Sequence, residues 1–117
     1  MLDEGSRLVQ DQKLNRAIKV FTEVIEMDPS WPEAWNKRAT LFFLMGKYSK
    51  SLADIEKVLS IESRHFGALS GQARIFIKIR EYEKAIVSLE RALKFYPSFR
   101  SGQLIPKLEK LIIEQSI

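Results

Sequence analysis

The chain has 117 residues, of which 45% are hydrophobic and 29% are charged. These values are ordinary for a globular domain and exclude a disordered chain, while the length allows a single core or a short solenoid. No apolar run approaches the roughly 20 residues that span a bilayer, and the first residues lack the apolar segment of a signal peptide. The absence of cysteine excludes disulfides and thiolate chemistry. A formal net charge of +4 arises from mixed acids and bases, which gives a weak preference for acidic partners.

The predicted helices recur with a period of 34 residues. Shifting the chain by this period aligns Tyr48 with Tyr82 and Ala39 with Ala73, so large residues match large ones and small residues match small ones. Each copy reads as two amphipathic helices, and such a hairpin cannot bury its apolar face alone. The predicted divisions are a first copy at 1–31 that begins part-way through its first helix, a second at 32–65, a third at 66–99, and a capping helix at 100–117.

Turns are predicted within and between the copies. Gly46 supplies the residue that a tight helix end favours, whereas Gln12 and Arg80 stand at the corresponding places, where turns should be slightly costlier. Between the first two copies, Ser30 is a candidate N-cap and Pro32 suits the first turn of the following helix.

The last predicted helix covers the third copy. Its apolar stripe consists of Leu104, Leu108, Leu111 and Ile112. Pro106 should start or kink this helix because it lacks a backbone donor, and Ile113 and Ile117 point away from the stripe. Apolar side chains at both ends of the chain, Leu2, Leu8 and Val9 among them, would support homodimer formation.

Groups typical of catalysis or metal binding do not converge in this sequence. His65 is the only histidine, which excludes two-histidine metal motifs, and its place between hairpins predicts a capping or packing role. Neither a Walker loop nor a GxGxxG motif is present. Asp54 and Glu56, near Lys50 and Lys57, are predicted to lie on a solvated face. The sequence therefore predicts no enzyme activity, no cofactor and no metal.

The repeat resembles the tetratricopeptide repeat (TPR) family. The second copy carries the pattern of this family at Trp35, Ala39, Phe42, Gly46, Tyr48, Ser51, Ile55 and Val58. The resemblance implies an all-α fold, a right-handed α-solenoid of antiparallel helical hairpins with about seven helices. It also implies a non-enzymatic protein-protein interaction module or scaffold that binds a peptide in a concave groove. The stretch 33–71 is most similar to bacterial or organellar members, and the compartment stays open.

The first helices of the hairpins would line that groove. Its predicted residues are Asn36, Lys37, Thr40, Phe43, Ser70, Gly71, Arg74, Ile77 and Lys78. Their positive charge, hydrogen-bonding groups and apolar strip favour an acidic and partly hydrophobic ligand. Phe43 and Ile77 either pack between adjacent first helices or contact a peptide. Gly67 and Gly71 either allow close helix packing or leave a smooth patch for a ligand backbone.

The resemblance also argues against one class of ligand. Some family members bind the C-terminal carboxylate of chaperones through a clamp of Lys, Asn and Arg side chains. The corresponding positions hold Leu2, Ser6, Lys37, Gly67 and Gly71, so the clamp is absent. Two alternatives stay open. The chain is an accessory domain of a larger enzyme or membrane-associated assembly, or, with less support from its interleaved charges, an RNA-binding helical repeat.

Overall fold

The computed structural model describes the backbone of residues 4–116 and the side chains of residues 10–116. This part of the chain contains six α-helices and one 3-10 helix and has no strand, which confirms the all-α prediction. The elements are α1 (Glu4–Met27), α2 (Pro32–Leu44), α3 (Tyr48–Ile61), α4 (Phe66–Lys78), α5 (Tyr82–Phe95), the 3-10 helix (Arg100–Leu104) and α6 (Ile105–Gln115). They form two compact units, Met1–Glu62 and Ser63–Ile117. Between residues 4 and 116, no helix combines the length with the hydropathy that crossing a membrane requires.

The first unit is built around α2, which packs against both α1 and α3. Ser51 on α3 is 1% exposed, and its hydroxyl donates a hydrogen bond of 2.7 Å to the carbonyl oxygen of Ala39 on α2. A larger side chain at either position would hold the two helices apart. The prediction that small residues permit this close approach is confirmed, and Ile55 and Val58 complete the buried face of α3.

Helix α1 differs from the prediction. It runs without interruption over Glu4–Met27, so the turn predicted at Gln12 is wrong. Residues 6–28 contain neither glycine nor proline, and Gln12 is a good helix former, so the helix continues where a turn would require a left-handed residue. The predictions for Leu2 and for the side chains of Leu8 and Val9 lie outside the described residues.

The junction between α1 and α2 also differs in detail. Trp31 is the N-cap of α2 and makes no side-chain capping bond, so the prediction of Ser30 as the N-cap is wrong. The reason is that the carboxylate of Asp28 accepts hydrogen bonds from both the hydroxyl and the backbone N–H of Ser30, at 2.6 and 3.2 Å, and holds Ser30 in the preceding turn. Pro32 stands in the first turn of α2, as predicted.

The turns after α2 and α4 share one hydrogen-bond pattern. In each turn, one N–H bonds to the carbonyl three residues earlier and the next N–H to the carbonyl five residues earlier, at 2.8 to 3.1 Å. This pattern is a Schellman motif, whose penultimate residue adopts a left-handed conformation. That residue is Gly46, with φ of 73°, in the first unit and Arg80, with φ of 62°, in the second. The turn predicted at Arg80 is present with a left-handed non-glycine residue, and its higher cost stays a prediction.

We expect Arg80→Gly to raise the free energy of unfolding by about 0.5 to 1 kcal/mol. Glycine removes the conformational free-energy penalty of a left-handed residue, roughly 1 to 2 kcal/mol. Part of this stabilisation is lost because glycine makes the unfolded chain more flexible. Urea denaturation followed by circular dichroism measures the difference. Arg80→Ala is the matched control, since it removes the same side chain but keeps Cβ. Equal stabilisation by both substitutions would assign the effect to the side chain instead of the backbone.

The second unit has its own core. Helix α4 packs on α5, and α5 packs on α6 and on the 3-10 helix. The buried members of this core are Ala73, Ala85, Leu89 and Leu108, and the half-buried residues against it include Phe76, Phe99 and Leu111. Leu108 is 3% exposed, so α6 covers this core as predicted for a capping helix, and Ile113 points away from it at 63% exposed.

The segment before α6 does not follow the predicted stripe. Leu104 ends the 3-10 helix and is 38% exposed, so its assignment to the buried stripe of the last helix is wrong. Pro106 lies in the first turn of α6, as predicted. Because Pro106 has no N–H to donate to the carbonyl of Gly102, α-helical hydrogen bonding cannot continue unbroken into residues 100–104.

Candidate functional site

The predicted site residues of the first unit lie on α2, and we call Asn36, Lys37, Thr40 and Phe43 the α2 surface. Lys37 and Thr40 are exposed, while Asn36 and Phe43 are half-buried. The hydroxyl of Thr40 donates to the carbonyl oxygen of Asn36 at 3.1 Å, which leaves it acceptor capacity for an incoming N–H. The Phe43 ring lies 5.7 Å from the ring of Tyr48, so it has a packing contact within its own hairpin.

The predicted site residues of the second unit lie on α4, and we call Ser70, Gly71, Arg74, Ile77 and Lys78 the α4 surface. Arg74 and Lys78 are exposed, and the other three are half-buried. Ile77 packs against the core of the second unit, a contact within its own unit instead of the predicted packing between adjacent first helices. The hydroxyl of Ser70 donates to a main-chain oxygen one turn earlier in α4, at 3.3 Å.

A pocket of about 210 Å³ lies beside the α4 surface, among α4, α5 and the 3-10 helix. It brings together three predicted residues, Ser70, Arg74 and Ile77, and leaves out Gly71 and Lys78. Sequence reasoning missed the other six lining residues, which are Phe66, Ala73, Leu89, Phe99, Ser101 and Leu104. A signal for two of them was present, because Ser101 and Leu104 stand one repeat period of 34 residues after Gly67 and Ser70.

Aromatic contacts hold one wall of this pocket in place. The ring of Phe66, at the start of α4, meets the ring of Phe99 edge to face at 4.8 Å and that of Tyr96 at 5.1 Å. The hydroxyl of Tyr96 donates to the carbonyl oxygen of Arg64, which ties the end of α5 to the residues before α4. Because Phe99 immediately precedes the 3-10 helix, this cluster fixes where that helix begins.

The positive charge of the chain belongs to the second unit. Ser63–Ile117 contains ten basic and five acidic residues, whereas Met1–Glu62 contains nine basic and ten acidic residues. None of the five acidic residues of the second unit lines the pocket, and Arg74 does. The pocket therefore lies in the more basic half of the chain.

A buried ion pair occupies the first unit. Asp54 is 4% exposed, and the guanidinium of Arg38 donates to both of its carboxylate oxygens at 2.8 Å. Arg38 also donates to the hydroxyl of Thr22 on α1 at 3.2 Å and lies 5.2 Å from the centre of the Trp35 ring. Hydrogen bonding to Asp54 raises the pKa of Arg38 above its ordinary value. The prediction of a solvated Asp54 is thus wrong, whereas Glu56 is exposed as predicted.

The second unit has a neutral counterpart of this ion pair. The hydroxyl of Ser88 on α5 donates to the side-chain oxygen of Gln72 on α4 at 2.9 Å. Both residues stand one period of 34 residues after Asp54 and Arg38. In both hairpins, a polar pair at equivalent positions therefore links the first helix to the second. The charged pair Arg38–Asp54 has this structural role in the first unit.

His65 also serves the fold. It is the N-cap of α4, and its Nδ1 accepts a hydrogen bond of 3.0 Å from the backbone N–H of Ala68. The capping interpretation is confirmed. Among the residues that the structure describes, no three His, Cys, Asp or Glu side chains come together in a way that could hold a metal ion.

The helical hairpins of both units define a helical-repeat protein. The profile of the tetratricopeptide repeat family matches residues 32–65 and 67–99, and the chain belongs to this family. A TPR repeat-containing protein of Rhizobium etli is 40% identical over 103 residues, covering 88% of this chain and 50% of that protein. Hsp70-Hsp90 organizing protein 2 of Arabidopsis thaliana is 24% identical over 96 residues, covering 82% of this chain and 17% of that protein. The chain thus spans half or less of the length of these relatives.

A solved structure shares the fold. It is the first TPR of Spaghetti (RPAP3), bound to the HSP90 peptide SRMEEVD. The TM-score is 0.81 at 20% sequence identity, and the superposition covers 94% of this chain and 88% of the other. At this identity the likeness establishes the fold, and the bound peptide is a property of that domain.

Proposed function

We propose that this chain is a non-enzymatic protein-interaction module that binds an acidic and partly hydrophobic segment of a partner protein. The observation that carries the proposal is the pocket of the second unit, where apolar walls adjoin the exposed Arg74 in the basic half of the chain. The peptide SRMEEVD, bound by the structurally similar RPAP3 domain, combines acidic and apolar residues in the same way, which supports this class of ligand.

The two surfaces offer different chemistry to such a segment. On the α2 surface, Lys37 supplies positive charge, and the amide of Asn36 and the hydroxyl of Thr40 can bond to a peptide backbone. On the α4 surface, Arg74 and Lys78 pair with carboxylates while Ile77 adjoins an apolar side chain. Arg74 is suited to bidentate recognition, because a guanidinium matches the two oxygens of a carboxylate.

We infer that the ligand is held without a carboxylate clamp. Gly67 and Gly71 occupy the positions on α4 where the carboxylate clamp of other family members has its cations. Glycine has no side chain that could donate a hydrogen bond to a carboxylate. The positive charge of α4 is instead displaced toward its C-terminal half, at Arg74 and Lys78. The α4 surface can therefore bind an internal acidic segment through its side-chain carboxylates, without a free terminal carboxylate.

The charge-reversing variants Lys37→Glu and Arg74→Glu test the two surfaces separately. Wild-type protein first selects binders from a displayed library of random peptides, and fluorescence anisotropy then measures the affinity of one selected peptide for each variant. We expect each substitution to weaken binding by about tenfold, because attraction to the acidic ligand becomes repulsion. Circular dichroism should show unchanged helix content, since both side chains are exposed.

Lys19→Glu on α1 and Arg91→Glu on α5 are matched controls, because they reverse a charge at exposed helical positions outside both surfaces. Their affinities should stay within about twofold of wild type. If the controls and the surface variants lost the same amount of affinity, the effect would come from the overall charge of the protein and not from the two surfaces. Selection of no peptide by the wild-type protein would contradict the interaction module itself.

A further inference from the structure

We propose that the 3-10 helix and α4 form an anchor pocket for one aliphatic side chain of an internal acidic segment. The inference rests on the proposed interaction function and assigns it a specificity element that the repeat pattern alone does not contain. The anchor consists of Ile77 and Leu104 as apolar walls, Leu89 as the floor, and Ser70, Arg74 and Ser101 as polar groups around them.

The pocket exists because the 3-10 helix is drawn toward α5. A Cβ atom at Gly102 would stand 2.7 Å from both methyl carbons of Leu93 on α5, so glycine permits this close approach. Pro106 prevents α6 from extending regularly through the same segment. With the 3-10 helix packed on α5, the space between it and α4 stays open as a pocket of about 210 Å³.

The size and lining of the pocket suit one side chain. Its volume of about 210 Å³ is below the roughly 300 to 1,000 Å³ of pockets that hold small-molecule ligands or cofactors. The floor is apolar and closed, since Leu89 is 1% exposed and Ala73 is 2% exposed. Leu104 is 38% exposed and gains from being covered by an apolar group. A leucine, isoleucine or methionine side chain meets these requirements.

The charges around the pocket specify what flanks that side chain. Arg74 lines the pocket, Lys78 follows it by one helical turn on α4, and Arg100 opens the 3-10 helix, all three with exposed side chains. The acidic residues of the second unit lie outside the lining. Carboxylates on both sides of the anchored residue would therefore meet cations, and the hydroxyls of Ser70 and Ser101 can bond to the backbone of the segment.

A synthetic peptide, acetyl-Gly-Asp-Glu-Leu-Glu-Asp-Gly-amide, tests the anchor on the whole chain. Titration into isotope-labelled protein should shift amide resonances of residues 100–104 and of α4. A second peptide with alanine in place of leucine should bind about tenfold more weakly, because it leaves the pocket unfilled. The first peptide with a free C-terminal carboxylate should bind within about twofold of the amide, because a clamp for that carboxylate is absent.

Two variants and a control locate the effect. Leu104→Gln removes an apolar wall and Ser101→Leu fills the pocket, so each should weaken the leucine peptide by about tenfold or more while the alanine peptide changes little. Ile113→Gln replaces another exposed apolar residue, on α6 and outside the pocket, and should leave both affinities unchanged. Circular dichroism confirms that each variant is folded.

The remaining outcomes separate the anchor from the general function. Shifts confined to other elements, or equal affinity for the leucine and alanine peptides, would overturn the anchor and leave the interaction module standing. If neither these peptides nor any library peptide binds, both proposals fall. Self-association that increases with concentration and is abolished by Leu104→Gln would make a second copy of the chain the occupant and overturn the acidic segment.

Discussion

Replacing Asp54 by alanine is expected to lower the free energy of unfolding by about 2 to 4 kcal/mol. The substitution leaves the guanidinium of Arg38 without the carboxylate that accepts two of its hydrogen bonds, and removing one partner of a buried ion pair is strongly destabilising. The side chain of Arg38 is 18% exposed, so water reaches it in part and the loss stays below that of a fully enclosed pair. Urea denaturation followed by circular dichroism gives the value.

A double-mutant cycle tests whether the pair itself causes this loss. Arg38→Gln combined with Asp54→Ser copies the neutral pair that Gln72 and Ser88 form in the second unit. We expect the double variant to be about 1 to 2 kcal/mol more stable than Asp54→Ser alone, because no unpaired charge remains. Strictly additive effects of the two substitutions would contradict a direct interaction between the side chains.

The partner of Asp54 in this ion pair could not be predicted from the residue spacing within a single helix. Lys50 and Lys57 stand four residues before and three residues after Asp54, so the sequence offers two partners on the same helix face. The partner in the structure lies 16 residues away on another helix, and only the packing of α2 on α3 brings it near. The repeat contained a signal nonetheless, because polar residues recur one period later at Gln72 and Ser88.

Alignment of the 34-residue copies predicted the structure best at positions where the residue type suits the local conformation. The small residues Ala39 and Ser51 lie at a close helix approach, as predicted. At Gln12 the register predicts a turn, but the surrounding residues favour an uninterrupted helix. Arg80 shows the opposite balance, since its hairpin closes through a left-handed residue even without glycine. Packing of α4 on α5 enforces that turn, whereas an isolated stretch of sequence does not reveal such enforcement.

The candidate site was predicted in part for the same reason. The resemblance to the repeat family implied a binding surface on α4 that includes Ser70, Arg74 and Ile77, and all three line the pocket. The opposite wall depends on how residues 100–104 depart from an α-helix, and the spacing of Leu104 to Leu108 fits an α-helix equally well. Pro106, which lacks a backbone donor, signals in the sequence that the α-helix is interrupted. The position that residues 100–104 then adopt depends on their packing on α5.

Leu89→Ala is expected to lower the free energy of unfolding by about 2 to 5 kcal/mol. Leu89 is 1% exposed and packs in the core of the second unit with Ala73, Ala85 and Leu108. Truncation removes its buried methyl groups and leaves a cavity, because the surrounding helices relax only partly around the missing side chain. Urea denaturation gives the loss, and Val87→Ala on the same helix, at a position 58% exposed, should change stability by less than about 0.5 kcal/mol.

Leu89→Met separates the structural role of this residue from its place under the pocket. Methionine nearly conserves volume, so the free energy of unfolding should fall by less than about 1.5 kcal/mol and the helices should stay assembled. The floor of the pocket changes shape all the same, since Leu89 lines it. Affinity for the leucine peptide should therefore shift in Leu89→Met and stay constant in Val87→Ala. A loss of less than 1 kcal/mol in Leu89→Ala would instead show that the core closes over the missing side chain, and the pocket would then lack the rigid floor that an anchor requires.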